Sequence, residues 1–301
     1  MSDRRGKLGL IKKPILAIII MSILWGYGWT SLKVGLLDAP PFRLTALRLT
    51  FSAMFLLLLL PLTGRSFIPS RLKELFLLGF VHTSLLFCLS TWAVSQGSAG
   101  RVAFMVYTMP FFTILFARIF LSEMIERLQW VAIVAAAFGL VLIVQPWGFY
   151  GNHLSNVLSV GAGIVWALGA IMVKRLQERE PMDLLSMTAW QMTLGCIPLI
   201  ALSFLVPEEA IIWSTRFVGN LIFIAIGVTG LGSMLWMYAL SNLKAGIAGL
   251  ATLAAPPIAM ISSALYFQEH PNVAEWFGMF FILMALMTLS FGSQKLPDKT
   301  N

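Results

Sequence analysis

The sequence predicts an all-α membrane protein of ten transmembrane helices, arranged as two inverted five-helix repeats. Three observations carry that prediction. The chain is 58% hydrophobic and 11% charged, with a mean hydropathy of +0.86; a soluble chain of this size would be about a quarter charged. Its pattern repeats: Gly100, Pro110, Glu123 and Trp130 recur as Gly246, Pro256, Glu269 and Trp276, each pair 146 positions apart. The unit that repeats holds five apolar runs, and an odd number of crossings turns the second copy upside down.

The apolar runs fall at about 14–33, 43–62, 75–95, 99–120, 128–146, 154–175, 185–206, 217–239, 246–267 and 273–292. Each is near the length of about 20 residues that crosses a hydrocarbon core. They are continuously apolar and lack period-two alternation, so they read as helices and not barrel strands. The first run follows the basic leader MSDRRGKLGLIKK, which resembles the start of a signal peptide. It is longer than an ordinary signal core and carries Trp25 and Lys33, which recur in the second half, so a retained first span is expected. Residues 14–146 and 154–292 form the two repeats, with 1–13 and 293–301 as tails. Earlier in each half the offset is smaller. Trp25, Gly28 and Lys33 match Trp166, Gly169 and Lys174 at 141, while Thr45, Ala46 and Thr50 match Thr188, Ala189 and Thr193 at 143. Cys88 and Cys196 both fall inside spans and suggest small packing residues, not a disulfide framework.

The net charge of +8 follows the membrane and not a nucleic acid. With the N-terminus inside, 16 Lys and Arg fall in inner segments, against Lys33, Arg43, Arg101 and Arg216 outside, with Arg48 left within a span. Basic residues collect on the cytoplasmic side, so both termini are expected in the cytoplasm and the chain in the inner (plasma) membrane. The same bias supports the inversion. Lys33 ends the first span outside, whereas its counterpart Lys174 ends the sixth inside.

At these residues the chain resembles a known family. The segment WAVSQGSAGRVAFMVYTMPFFTILFARIFLSEMIERLQWVAIVAAAFGLVLI, and more loosely YALSNLKAGIAGLATLAAPPIAMISSALYFQEHPNVAEWFGMFFILMAL, resemble the EamA domain of the drug/metabolite transporter superfamily. The shared elements are an aromatic-Ala pair ending spans three and eight, Ala-Gly opening spans four and nine, a mid-span Pro, and a Glu just beyond. The second copy departs in reading Gln268-Glu269-His270 where a Gly-Glu pair is common. The resemblance implies a ten-helix inner-membrane carrier, often an exporter of amino acids or other small metabolites.

Every Asp and Glu lies outside the span interiors. A charge at mid-bilayer costs several kcal/mol, so this pattern argues against a carboxylate proton relay and against membrane enzymes built on paired aspartates. Two ionisable residues remain inside. Arg48 and its repeat partner Gln191 are candidates for substrate binding, Arg48 to hold a carboxylate; the alternative for Arg48 is a side chain that snorkels outward or binds backbone carbonyls. His82, whose partner is Val228, is a candidate for proton coupling near neutrality, or else a neutral imidazole hydrogen-bonded within the bundle. Trp25, Trp29 and Lys33 share one helical stripe, matched by Trp166, Ala170 and Lys174. Trp25, Trp29 and Trp166, with Tyr107, are expected to wall a cavity for an organic solute; ordinary packing is the alternative.

Pro110 and the pair Pro256 and Pro257 fall near the middles of spans four and nine, where a missing backbone donor kinks the helix. They are expected hinges, or fixed bends. Glu123 and Glu269 are assigned a structural role, capping the next helix or pairing with a nearby base. No metal site and no cofactor is expected, since the chain holds no His-Glu-x-x-His motif and no phosphate-binding Gly-Lys loop. The expected activity is secondary transport, not catalysis: export of a small organic metabolite such as an amino acid by alternating access. An importer of the same substrate class is the main alternative; an intramembrane enzyme and a noncatalytic scaffold are the others. The expected partners are that metabolite and the lipid bilayer, and no nucleic acid. A monomer suffices, with an oligomer left open.

Overall fold

The architecture is described from a computed structural model, which describes residues 2–122, 124–145, 152–179, 181–242 and 255–293. Among these, eight helices are long and apolar enough to cross a membrane, joined by two shorter apolar ones. In chain order they are α1 (Ser2–Gly35), α2 (Pro41–Leu62), α3 (Leu72–Gln96), α4 (Ala99–Phe120), α5 (Arg127–Val144), α6 (His153–Arg179), α7 (Leu184–Leu205), α8 (215–242), α9 (Ala255–Phe267) and α10 (Val273–Ser293). The helix of the first span begins at Ser2, well before its apolar run. The landmarks at Gly246 and the Ala-Gly expected to open the ninth span lie outside the described residues.

Helix starts follow local chemistry. Ser98, Asp183 and Ser214 accept from backbone N–H groups of the first turns of α4, α7 and α8, satisfying donors that have no partner inside the helix. Glu126 and Gln129 form a reciprocal cap on α5. Pro110 does break its helix: α4 runs as Ala99–Val106, opens at Tyr107 and Thr108, and restarts as Met109–Phe120 with the proline in its first turn. That is where a residue lacking an N–H costs least.

The ten helices alternate in direction between two ends of the bundle. At one end Lys33 pairs with Glu269, and Arg216 with Asp38 at 2.8 Å. Arg101 meets Glu275 at 2.8 Å, and Ser155 donates to the Ala93 carbonyl at 2.8 Å. Glu208 accepts from the Phe42 and Arg43 amides that start α2, and Gln145 bonds Asn272. At the other end Arg65 pairs with Asp183 at 2.9 Å, and Arg175 donates to the Phe120 carbonyl. So α1 ends at the first end, where its counterpart α6 begins. The two halves are threaded in opposite senses.

Packing obeys the same symmetry. Helix α1 lies against α8 and α9, as α6 lies against α3 and α4; α2 packs on α7, and α5 on α10. Small residues permit the crossings. A Cβ at Gly139 would fall 2.6 Å from the Gly278 carbonyl, and one at Gly278 would fall 2.6 Å from the Gly139 carbonyl. With lipid as solvent, helix association rests on such close packing and not on water exclusion. The outward faces stay apolar, as at Val134 and Phe138 on α5 and Phe204 on α7.

Two regular features were not anticipated. The middle of α3 (Phe80–Leu85) and the middle of α8 (Phe223–Leu231) are wound as π-helix. Their starts lie 143 positions apart and their ends 146, so the three residues by which the repeat offset grows are taken up inside the second of these turns.

Candidate functional site

The cavity at the centre of the bundle, about 90 Å³, is lined by Trp25, Gly28, Trp29 and Leu32 from α1, Arg48 from α2, and Leu86, Phe87 and Ser90 from α3. Val106 and Tyr107 of α4, Trp166 of α6, and Val228, Thr229 and Ser233 of α8 complete it. At about 10–15 Å³ per water-sized position, it has room for about six to nine such positions. Its wall is aromatic. Trp25 stands edge-on to Trp166 at 5.8 Å, Trp166 to Tyr107 at 5.6 Å, and Tyr107 to Trp29 at 6.5 Å. The break in α4 places Tyr107 there. The π-turn of α8 shapes the opposite side, since its Val228 carbonyl accepts from the Trp25 indole at 3.1 Å. Widened turns of this kind recur at functional sites.

Arg48 supplies the charge. Its residue is 7% exposed, and Nε donates to the Thr229 hydroxyl at 2.6 Å. The guanidinium lies over the Phe87 ring at 4.9 Å. Among the described residues no carboxylate reaches it, and its terminal Nη groups have no protein acceptor. A buried cation is normally paired. A guanidinium held by one neutral hydroxyl at the edge of a cavity is set up to take an anion from that cavity, with the fork geometry that suits a carboxylate.

Of the residues singled out from sequence, Trp25, Trp29, Arg48, Tyr107 and Trp166 thus share one cavity. His82 and Gln191 do not line it. They bond each other at 3.0 Å between Gln191 Nε2 and His82 Nδ1, at a joint of α3, α6 and α7, where a Cβ on Gly169 would run into the imidazole. Pro110 sits at the break of α4 beside Tyr107, while Pro256 and Pro257 fall in the first described turn of α9. Glu123 lies outside the described residues. Glu269 accepts from Lys33, Ser98 and Ser263, and the start of α10 is capped instead by Asn272 and Glu275.

Sequence reasoning missed Thr229, Ser90 and Phe87. The step in repeat offset between 143 and 146 was the available signal for an irregular turn around Thr229. It also missed a second cavity of about 280 Å³ at the Lys33 end, lined by Ser98, Arg101, Asn156, Glu269, His270 and Glu275 among others. The Lys33–Glu269 pair adjoins this space: Lys33 is one turn beyond Trp29, and Glu269 lines the second cavity. No group of His, Cys, Asp or Glu suited to hold a metal occurs among the described residues.

A ten-helix bundle around an aromatic and cationic cavity has the form of a membrane transporter. The EamA-like transporter family matches residues 12–145 and again 153–291, and the chain belongs to that family of membrane transporters. It is similar to "Uncharacterized transporter YoaV" of Bacillus subtilis (strain 168), 25% identical over 300 residues and covering 94% of this chain and 99% of that one. It is also similar to "Uncharacterized inner membrane transporter YedA" of Escherichia coli (strain K12), 24% identical over 290 residues, covering 94% and 92%. A "Probable amino-acid metabolite efflux pump" of the same strain is 24% identical over 300 residues, covering 93% and 95%. A solved crystal structure superposes with a TM-score of 0.68 at 14% identity, covering 95% of this chain and 99% of the other; that likeness concerns the fold.

Proposed function

We propose that this protein carries a small amino-acid-like metabolite out of the cytoplasm by alternating access. Arg48 holds the carboxylate, and Trp25, Trp29, Tyr107 and Trp166 enclose the body of the solute. The observation that carries this reading is the guanidinium of Arg48 on the cavity, without a carboxylate partner among the described residues. The similarity to an amino-acid metabolite efflux pump supports the substrate class and the direction. The distribution of Lys and Arg supports placing the Asp183 end in the cytoplasm, in the inner membrane, with both termini on that side. Among the described residues no acidic side chain lines the cavity, so the ammonium of an amino acid would rest on hydroxyls and aromatic faces there.

Thermal unfolding of the purified protein tests this. A ligand that binds only the folded state raises the unfolding temperature. Amino acids with apolar or aromatic side chains are expected to stabilise the protein, and their methyl esters not. In Arg48→Gln, loss of a charge-assisted hydrogen bond worth about 1.5–3 kcal/mol should weaken binding roughly ten- to a hundred-fold. Equal stabilisation by acid and ester, or by wild type and variant, would refute the assignment.

A further inference from the structure

The two halves make the same contact twice, once open and once sealed. Arg48 lies seven residues into α2 and donates to Thr229, in the π-turn of α8. Gln191 lies seven residues into α7 and donates from Nε2 at 3.5 Å to the Thr83 hydroxyl, in the π-turn of α3. Arg48 and Gln191 are repeat mates 143 positions apart, and Thr83 and Thr229 are mates at 146. The glycines agree: a Cβ on Gly28 would strike Val228, and one on its mate Gly169 would strike His82, the mate of Val228. At a rise of 1.5 Å per residue both side chains leave their helices about 10 Å in. Arg48 is measured from the Lys33 end, and Gln191 from the Asp183 end.

In the Gln191 copy, Gln191 and Thr83 are buried, His82 is half-buried, and the bonding is incomplete. Gln191 is 3% exposed, and its Oε1 has no partner among the described residues, nor has Nε2 of His82. A buried polar atom left without a partner costs about 1–3 kcal/mol. Two such atoms on a pair of hydrogen-bonded side chains mark a surface made to meet something else. The amide assigned as donor to Nδ1 leaves His82 Nε2 carrying its proton. The joint therefore offers one acceptor and one donor and no net charge.

We infer that Gln191, His82 and Thr83 form a second solute-binding site, which opens to the Asp183 end when the Lys33 end is shut. It takes a zwitterion, with the ammonium on Gln191 Oε1 and a carboxylate oxygen on His82 Nε2–H. The inference rests on the transport reading above. It adds residues and a sidedness to it: Arg48 and Thr229 serve the Lys33 end, Gln191 and Thr83 the Asp183 end.

Single-cysteine reporters at Thr83 and Thr229, in a background with Cys88 and Cys196 replaced by Ala, test it in membrane vesicles of both orientations with an impermeant maleimide. Thr229→Cys should label at least ten-fold faster from the Lys33 face, and Thr83→Cys at least ten-fold faster from the Asp183 face. Gln191→Cys is a second reporter of the same face, should Thr83→Cys fold poorly. Labelling of both sites from one face, or no labelling of Thr83→Cys and Gln191→Cys from either, overturns the inference. L-phenylalanine should slow labelling of Thr83→Cys several-fold, and phenylacetate, which has no ammonium, should not. Equal protection by the two overturns the ammonium assignment. Protection by neither, with opposed labelling intact, counts against the amino-acid substrate and leaves the sided second site standing.

Discussion

Arg48 and Gln191 occupy equivalent places, one beside a cavity and the other in a closed joint, and on the proposed transport cycle this contrast separates two states of one scaffold. Each reaches a threonine hydroxyl in a π-helical turn of the opposite half. What differs is charge. Enclosing a lone guanidinium costs several kcal/mol even after relaxation, so space for an anion or water persists beside Arg48. Enclosing a carboxamide costs far less, so the Gln191 side can close with two atoms unmet. On the proposed cycle, backbone symmetry makes both arrangements available, and side-chain asymmetry favours the one with space at Arg48.

The sharpest way to break this comparison is to equalise the charges. Gln191→Arg puts an unpaired cation into the sealed joint, and the protein should relieve it by opening the Asp183 end. Labelling of a Thr83→Cys reporter from that face is expected to rise more than ten-fold, and an unchanged rate would show that the joint is not a closed site. The threonines give a smaller and more discriminating contrast. Thr229→Val removes a 2.6 Å bond to a cation and should weaken amino-acid binding about ten-fold. Thr83→Val removes only a 3.5 Å contact to a neutral amide and should change that binding by less than about three-fold. Isothermal titration of the two purified variants reads the difference directly.

Away from the sites, the α5–α10 crossing should affect stability and not transport. Gly139→Ala drives a Cβ against the Gly278 carbonyl, and overpacking of this kind costs about 1–3 kcal/mol, measurable by thermal unfolding in detergent at unaltered substrate affinity. The smallest effect is expected at the Lys33–Glu269 pair. Lys33 and Glu269 are partly exposed, with 24% and 17% of their side chains accessible. Such pairs contribute about 0.5–1 kcal/mol. Glu269→Gln should therefore raise labelling of a Leu86→Cys reporter from the Lys33 face only a few-fold.

Much of this was legible in the chain because lipid imposes a strict code. Continuous apolar runs fix helix number, and the residues between them mark the ends. The eight helices from α2 to α8 and α10 start and stop within about four residues of their apolar runs. Repeat landmarks such as Trp25/Trp166 announced the symmetry, and with it the aromatic wall. The cavity proved harder to read. Arg48 and Gln191 look alike as polar residues in matching helices, and no linear pattern says which side of a two-state protein stands open. His82 drew notice as a lone imidazole in a span, yet its place is set by Gly169, whose missing Cβ admits the ring. The π-turns left only a three-residue step in the repeat offset, visible once the two halves are laid side by side. Glu269 was open to two readings, a cap on α10 or a partner for a nearby base; Asn272 and Glu275 cap that helix locally, and Glu269 accepts from Lys33 across the bundle.

Transport as proposed requires that solute move through the Arg48 cavity. Proteoliposomes loaded with unlabelled L-phenylalanine and diluted into a trace of the labelled amino acid measure this by counterflow. Transient accumulation by the wild-type protein that falls at least ten-fold in Arg48→Gln is the predicted result. Counterflow of the same size in both proteins, or none for any amino acid tried, would contradict it.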